Sequence, residues 1–110
     1  MRLPNADRAI VDLDKLQRYC LDPAHPRGRH KARVFRSALG ISPADAVMLR
    51  ETLLRGAATE DATPGETDQH GTRYTFNLQV TRGERTAQVR THWIVRQGED
   101  VPRLVTCYVA

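Results

Sequence analysis

Lysine is almost missing from this chain: of 17 basic residues only Lys15 and Lys31 are lysines, and the rest are arginines. Cysteine is scarce as well. Cys20 and Cys107 lie far apart, with neither a CxxC spacing nor a companion histidine cluster, which argues against a zinc site or redox motif and for two reduced thiols. No apolar run approaches the ~20 residues of a membrane span. The amino end, Met1 to Asp12, has no cationic head followed by a long apolar stretch. The expectation is a cytoplasmic protein with no membrane partner. No GxGxxG, GxxxxGK[ST], HExxH or GxSxG occurs, so dinucleotide, nucleoside triphosphate, zinc-protease and hydrolase-elbow chemistry find no support, and no cofactor is expected. Internal repeats and low-complexity tracts are absent.

What is present fits one domain spanning 1–110: 110 residues, 40% hydrophobic and 27% charged, enough to bury a core without disulfides or a structural metal. The charge is +4, from 17 basic against 13 acidic residues, with a pI near 9.6. Arginine carries a planar fork shaped for phosphate, and a basic balance is consistent with a nucleic-acid partner. High-GC coding would also enrich arginine, so composition alone decides nothing.

The hydrophobic period changes midway. Asp12 is placed to cap a helix through about Leu21 that buries Leu13, Leu16 and Cys20. Asp22 to Arg29, with two prolines and Gly28, reads as an irregular connection. A second helix is expected over about Arg29 to Leu39, with Val34, Phe35, Ala38 and Leu39 inward and Gly40 as terminator. Ser42-Pro43, with Asp45 at the reciprocal position, opens a third that runs to about Arg55 with Ala46, Leu49 and Leu53 facing the core. Ala57 to Gly71 is polar and acidic and reads as a surface loop. Alternation then sets in. Thr72 to Thr81 turns Tyr74, Phe76, Leu78 and Val80 to one side, and Thr86 to Arg96 turns Ala87, Val89, Trp93 and Val95 likewise. The last strand, Arg103 to Val109, sends Val105, Cys107 and Val109 one way and Leu104, Thr106 and Tyr108 the other. Three strands joined by short turns should form an antiparallel meander, its apolar face covered by the helices in an α+β two-layer fold.

The other face then gathers Thr75, Asn77, Gln88, Arg90, His92, Thr106 and Tyr108. Arg90 and His92 project on the same side, about 7 Å apart. Such residues are also the ordinary filling of a solvated sheet, so the argument rests on their joint appearance with a basic charge. Lys31 lies on the inward stripe of the second helix, at its start beside His30. It either lays its methylenes over the core rim or is used. Metal-free RNA cleavage needs a base for the 2′-hydroxyl, cations for the phosphate and an acid for the leaving oxygen, roles that His, Lys and Arg can fill. The carboxylates sit in caps, turns and the linker, which speaks against a two-metal nuclease or a glycosidase.

Several segments carry a likeness: Leu3 to Ala6, Leu21 to Phe35 with its Gly28-Arg29-His30-Lys31-Ala32 helix start, Ala38 to Gly40, Arg90 to Ile94, and Pro102 to Val109 with its Leu104-Val105-Thr106-Cys107-Tyr108 strand. Over essentially the whole chain these resemble a bacterial family of small domains of unassigned function, found stand-alone and at the carboxy termini of polymorphic toxins. The layout is similar to the barnase, EndoU, colicin and RelE superfamily of metal-independent ribonucleases. The resemblance implies a cleft on the sheet face away from the helices, with His30, Lys31, Arg90, Thr106 and Tyr108 as catalytic positions. His92 departs from the family pattern. The resulting expectation is a toxin-type endoribonuclease with an RNA substrate and an acidic antitoxin or immunity protein as partner. The alternative is a non-catalytic RNA- or protein-binding module, the inhibitory half of a toxin pair or an adaptor, in which alanine at His30 and Lys31 would change affinity only. A third reading is a transferase acting on a nucleotide.

Overall fold

Residues 1–110 are all described in the computed structural model. Asp12 caps the first helix, its carboxylate accepting from the Asp14 amide at 2.9 Å. The helix, α1 (Leu13–Lys15), widens into a π-helical turn over Leu16–Cys20 that buries Leu16 and Cys20. Helix α2 (Arg29–Leu39) ends at Gly40, whose φ of 65° is the left-handed cap that glycine adopts without steric cost. Its buried side chains are Ala32, Phe35 and Leu39, whereas Val34, expected inside, is 43% exposed. A 3-10 turn at Pro43–Asp45 leads into α3 (Ala46–Thr59), which extends one turn beyond the expected end at Arg55 and buries Ala46, Leu49, Leu53, Gly56 and Ala57. Asp45 ties the helical layer to the sheet, accepting from the Ser42 amide at 2.9 Å and from both terminal nitrogens of Arg82 at 3.0 and 2.9 Å.

The sheet has four antiparallel strands in chain order, β1 (Thr63–Asp68), β2 (Gly71–Arg82), β3 (Arg85–Arg96) and β4 (Pro102–Val109). Helices covering one face of an antiparallel sheet make this an α+β fold, as its residue periods require. Strand β1 corrects the loop expected over Ala57 to Gly71. Its Thr-Pro-Gly-Glu-Thr-Asp sequence has no apolar alternation because it is an exposed edge strand, where proline is tolerated and no side is buried. A register shift between Pro64 and Thr67 adds to the disguise.

The inner face carries Phe76, Leu78, Val80, Val89, Thr91, Trp93, Leu104 and Cys107. Trp93 stacks on Phe76 with ring centroids 5.6 Å apart. Thr91, the one buried polar residue, accepts from the Trp93 indole N–H at 2.8 Å and donates to the Phe76 carbonyl at 2.8 Å, so its hydroxyl is satisfied. In β4 the expected alternation breaks. Trp93 pairs with Leu104 while His92 pairs with Thr106, so Val105 is an extra residue in a bulge. Leu104, expected on the outer side with Thr106 and Tyr108, therefore points inward with Cys107, and Val105, expected beside Cys107, is 39% exposed. The amino-terminal segment closes the first part of this edge: the Ile10 amide donates to Pro102 and the Ile10 carbonyl accepts from Leu104. The remainder of β4 faces the start of α2.

Candidate functional site

The turn between α1 and α2 is built around Tyr19 and His25. The His25 Nδ1 accepts from the amides of Arg27 and Gly28, each at 3.0 Å, and its ring meets Tyr19 edge-on with centroids 4.9 Å apart. Gly28 passes so close to the Tyr19 backbone that a Cβ would collide with the Tyr19 carbonyl. This contact fixes both the π-helical end of α1 and the first residues of α2. We expect Gly28→Ala to lower stability by about 1–3 kcal/mol through overpacking, seen as a fall of several degrees in Tm, and to displace Tyr19 from Lys31. A thermal melt together with the tyrosine near-UV signal measures both effects.

So positioned, Lys31 reaches round the free edge of β4. Its ammonium donates to the Tyr19 hydroxyl at 3.1 Å and to Thr106 Oγ1 at 3.1 Å. It also stands 5.1 and 5.5 Å from the ring centroids of Tyr19 and Tyr108, within cation–π range. The side chain is part-buried, and no carboxylate forms an ion pair with it. Hydroxyls and ring faces supply partial negative charge only, so the site keeps a net positive charge.

The outer sheet face presents two rows of side chains across the central and edge strands. Thr75, His92 and Thr106 are direct cross-strand partners, as are Asn77, Arg90 and Tyr108. Within this grid His92 Nδ1 lies 3.2 Å from Thr75 Oγ1 and Nε2 lies 3.0 Å from the Tyr108 hydroxyl, the two rings being stacked at 5.5 Å. Arg90 Nε donates to Asn77 Oδ1 at 3.1 Å. Burial holds the His92 imidazole below its ordinary range, and repulsion from Arg90 and Lys31 adds to the effect. A cavity of about 290 Å3 opens beside this histidine, bounded by Arg73, Val105, Thr106 and Tyr108.

Beneath the grid lie the two thiols. Cys20 Sγ is 3.9 Å from Thr106 Oγ1. Hydrogen bonding from Cys107, with help from Thr106 and the Lys31 charge, draws the Cys20 thiol down. The same contact and burial push Cys107 up. No three His, Cys, Asp or Glu side chains gather as metal ligands would.

Lys31, Arg90, Thr106 and Tyr108 thus converge, and His92 stands at their centre. His30 is exposed and makes no side-chain hydrogen bond. It borders an open groove of about 260 Å3 at the rim of the grid, which it lines with Val34, Val109 and two members of the cluster, Lys31 and Tyr108. Tyr19 and Cys20 also belong to the cluster; helix spacing marks Cys20 as inward but puts neither residue beside Lys31. Their place depends on the bend of the Pro-Gly connection, which carries no periodic signal.

Comparison with known proteins is consistent with this architecture. No curated protein matches the chain. The fold is similar to that of a chain in the contact-dependent growth inhibition toxin–immunity protein complex from Klebsiella pneumoniae 342, with a TM-score of 0.67 and 14% identity over 94% of this chain and 95% of that one. At this identity the likeness is one of fold. The family model described as a domain of unknown function, DUF6883, matches residues 2–110, and the chain belongs to that family.

Proposed function

We propose that this chain is a single toxin-type domain, a metal-independent endoribonuclease that cuts RNA by attack of the 2′-hydroxyl on the adjacent phosphorus. The observation that carries this reading is Lys31: a part-buried ammonium held by two hydroxyls and two aromatic faces, with no carboxylate to neutralise it. A phosphodiester would supply the missing negative charge. Arg90, beside Tyr108 on the same face, adds a second cation.

In this scheme neutral His92 takes the proton from the 2′-hydroxyl as the 2′-oxygen bonds to phosphorus. The bond from phosphorus to the 5′-oxygen breaks, and that oxygen leaves with a proton from the Tyr108 hydroxyl. The products are a 2′,3′-cyclic phosphate and a free 5′-hydroxyl. Lys31 and Arg90 stabilise the charge that builds on the non-bridging oxygens, and Thr106 orients the ammonium. His30, at the rim, contacts the chain of the substrate rather than the reacting atoms.

The fold shared with a chain of a toxin–immunity complex supports a role in a toxin system. A +4 enzyme of this kind requires an acidic protein to cover the grid in the cell that makes it, and opposite charge speeds that capture. Purified chain, freed of any partner, should convert tRNA and total RNA into fragments ending in cyclic phosphate, and inducing it without its neighbouring gene should stop growth. RNA that stays intact across tRNAs and varied sequences rejects the reading. A labelled group transferred to intact RNA would point instead to a transferase.

A further inference from the structure

On the flank of α2 opposite Lys31 stand three exposed arginines, Arg29, Arg33 and Arg36. At 3.6 residues per turn, positions i, i+4 and i+7 fall in one row about 10 Å long. None of the three donates to a carboxylate or to any other side chain, whereas Arg8, Arg73, Arg82 and Arg103 are all tied to acids. The row overhangs a cavity of about 120 Å3 whose apolar lining is Leu21, Ala32 and Ile41, with Pro23 and Pro43 at its sides. His30 and Val34 separate this row from Lys31 on the solvent side of the helix. A strand leaving the Lys31 site over His30 therefore meets the arginines after crossing one helix width, about 10 Å.

We propose that this arginine row and the cavity below it form a second subsite that takes a single-stranded segment of the RNA, phosphates on the guanidinium groups and a base against the apolar lining. Guanidinium planes and apolar walls receive a flat ring of any base identity, and the unpaired charges track the backbone. An acidic protein surface would satisfy the arginines but leave the lined cavity unused, so nucleic acid is the better match. The inference rests on the reading of the sheet face as an RNA site, and it predicts a device for affinity and not for chemistry.

The test uses a 2′-O-methylated RNA oligonucleotide of about a dozen nucleotides, which cannot be cleaved by 2′-hydroxyl attack. Its affinity is titrated against salt for the wild type, for Arg33→Gln and for the Arg29→Gln/Arg33→Gln/Arg36→Gln variant. Losing three phosphate contacts should make the slope of log affinity against log salt shallower by about 2, with the single variant intermediate. Cleavage of a long RNA should show a KM raised about tenfold at low salt with kcat held, while cleavage of a dinucleotide stays unchanged. All three positions are exposed, and Arg33→Gln reports even if the triple variant is poorly folded. An unchanged affinity and slope, or equal losses on the dinucleotide and the long RNA, overturn the subsite. A wild type that cuts nothing yet binds with an arginine-dependent slope rejects the cleavage reading and leaves the subsite standing.

Discussion

Replacing Lys31 by methionine is expected to slow RNA cleavage by about 10²–10³-fold, the usual loss when one preorganised charge donor is removed from a transition state. Stability should stay level or rise. Met keeps the length and apolar body of the lysine stem, and it removes an ammonium whose only partners are two hydroxyls and two ring faces. Taking a charge out of water without a counter-charge opposes folding, so a group kept there for packing alone would be better as a hydrocarbon. The pair of measurements separates roles that either one would confuse. A rim residue that merely covers the core would give unchanged cleavage and unchanged stability. A structural hydrogen-bond hub would give a large fall in Tm, because the Tyr19 hydroxyl and Thr106 Oγ1 would lose their donor. Lost activity with a preserved melt is the signature of a site that trades stability for chemistry. Lys31→Arg should restore little, since a planar fork cannot occupy the place of a compact ammonium between two rings.

The distribution of such groups explains how much of the molecule could be read in advance. The outer grid was legible because β2 and β3 alternate and pair residue for residue, with Ile94 the one apolar break on the outer side, so Thr75, Asn77, Arg90 and His92 were bound to share a face. Asp12, Gly40 and the Ser42-Asp45 pair marked helix boundaries through capping chemistry that is local to a few residues. Strand β1 was hidden because an edge strand exposed on both faces imposes no hydrophobic period. The bulge at Val105 was hidden for a related reason: one extra residue reverses the phase, and Leu104 is as apolar as the Val105 it displaces from the inner face. The inward stripe of α2 lies about a sixth of a turn from the expected one, with Ala32 inside in place of Val34. A small buried residue such as Ala32 is a weaker signal than a branched one. Tyr19 entered the site only because Gly28 lets two backbones touch, a contact visible in space and not in spacing. His92 had no family precedent to recommend it and earned its place from two hydrogen bonds across three strands.

That histidine gives the second large effect. His92→Ala should reduce cleavage by about 10²–10⁴-fold, the range for a lost general base or acid. His30→Ala should change it by only a few-fold, because its ring is exposed at the rim and makes no hydrogen bond to the converging groups. The pH profile carries the sharper statement. Burial first, then the charges of Arg90 and Lys31, keep the folded His92 below the ordinary histidine value near 6.5, so the ring is neutral at physiological pH and available as a base. Cleavage should therefore fall as pH drops through the folded value, with an acid limb centred below that of an ordinary histidine. Stability follows the same sign: the unfolded chain takes up this proton more readily, so the contribution from His92 is complete above 6.5 and is lost as pH falls through the folded value. Arg90→Gln removes one repulsive charge while leaving the ring buried, and it should move both limbs upward toward 6.5. Tyr108→Phe keeps the stacked ring but deletes the hydroxyl at 3.0 Å, so it should slow departure of the 5′-oxygen without moving the acid limb as far. Titration of the His92 ring by NMR, compared with the pH dependence of cleavage, tests this account. A ring that titrates above 6.5, or an acid limb that follows His30 instead, would transfer the proton to the other histidine and remove the grid from the chemistry.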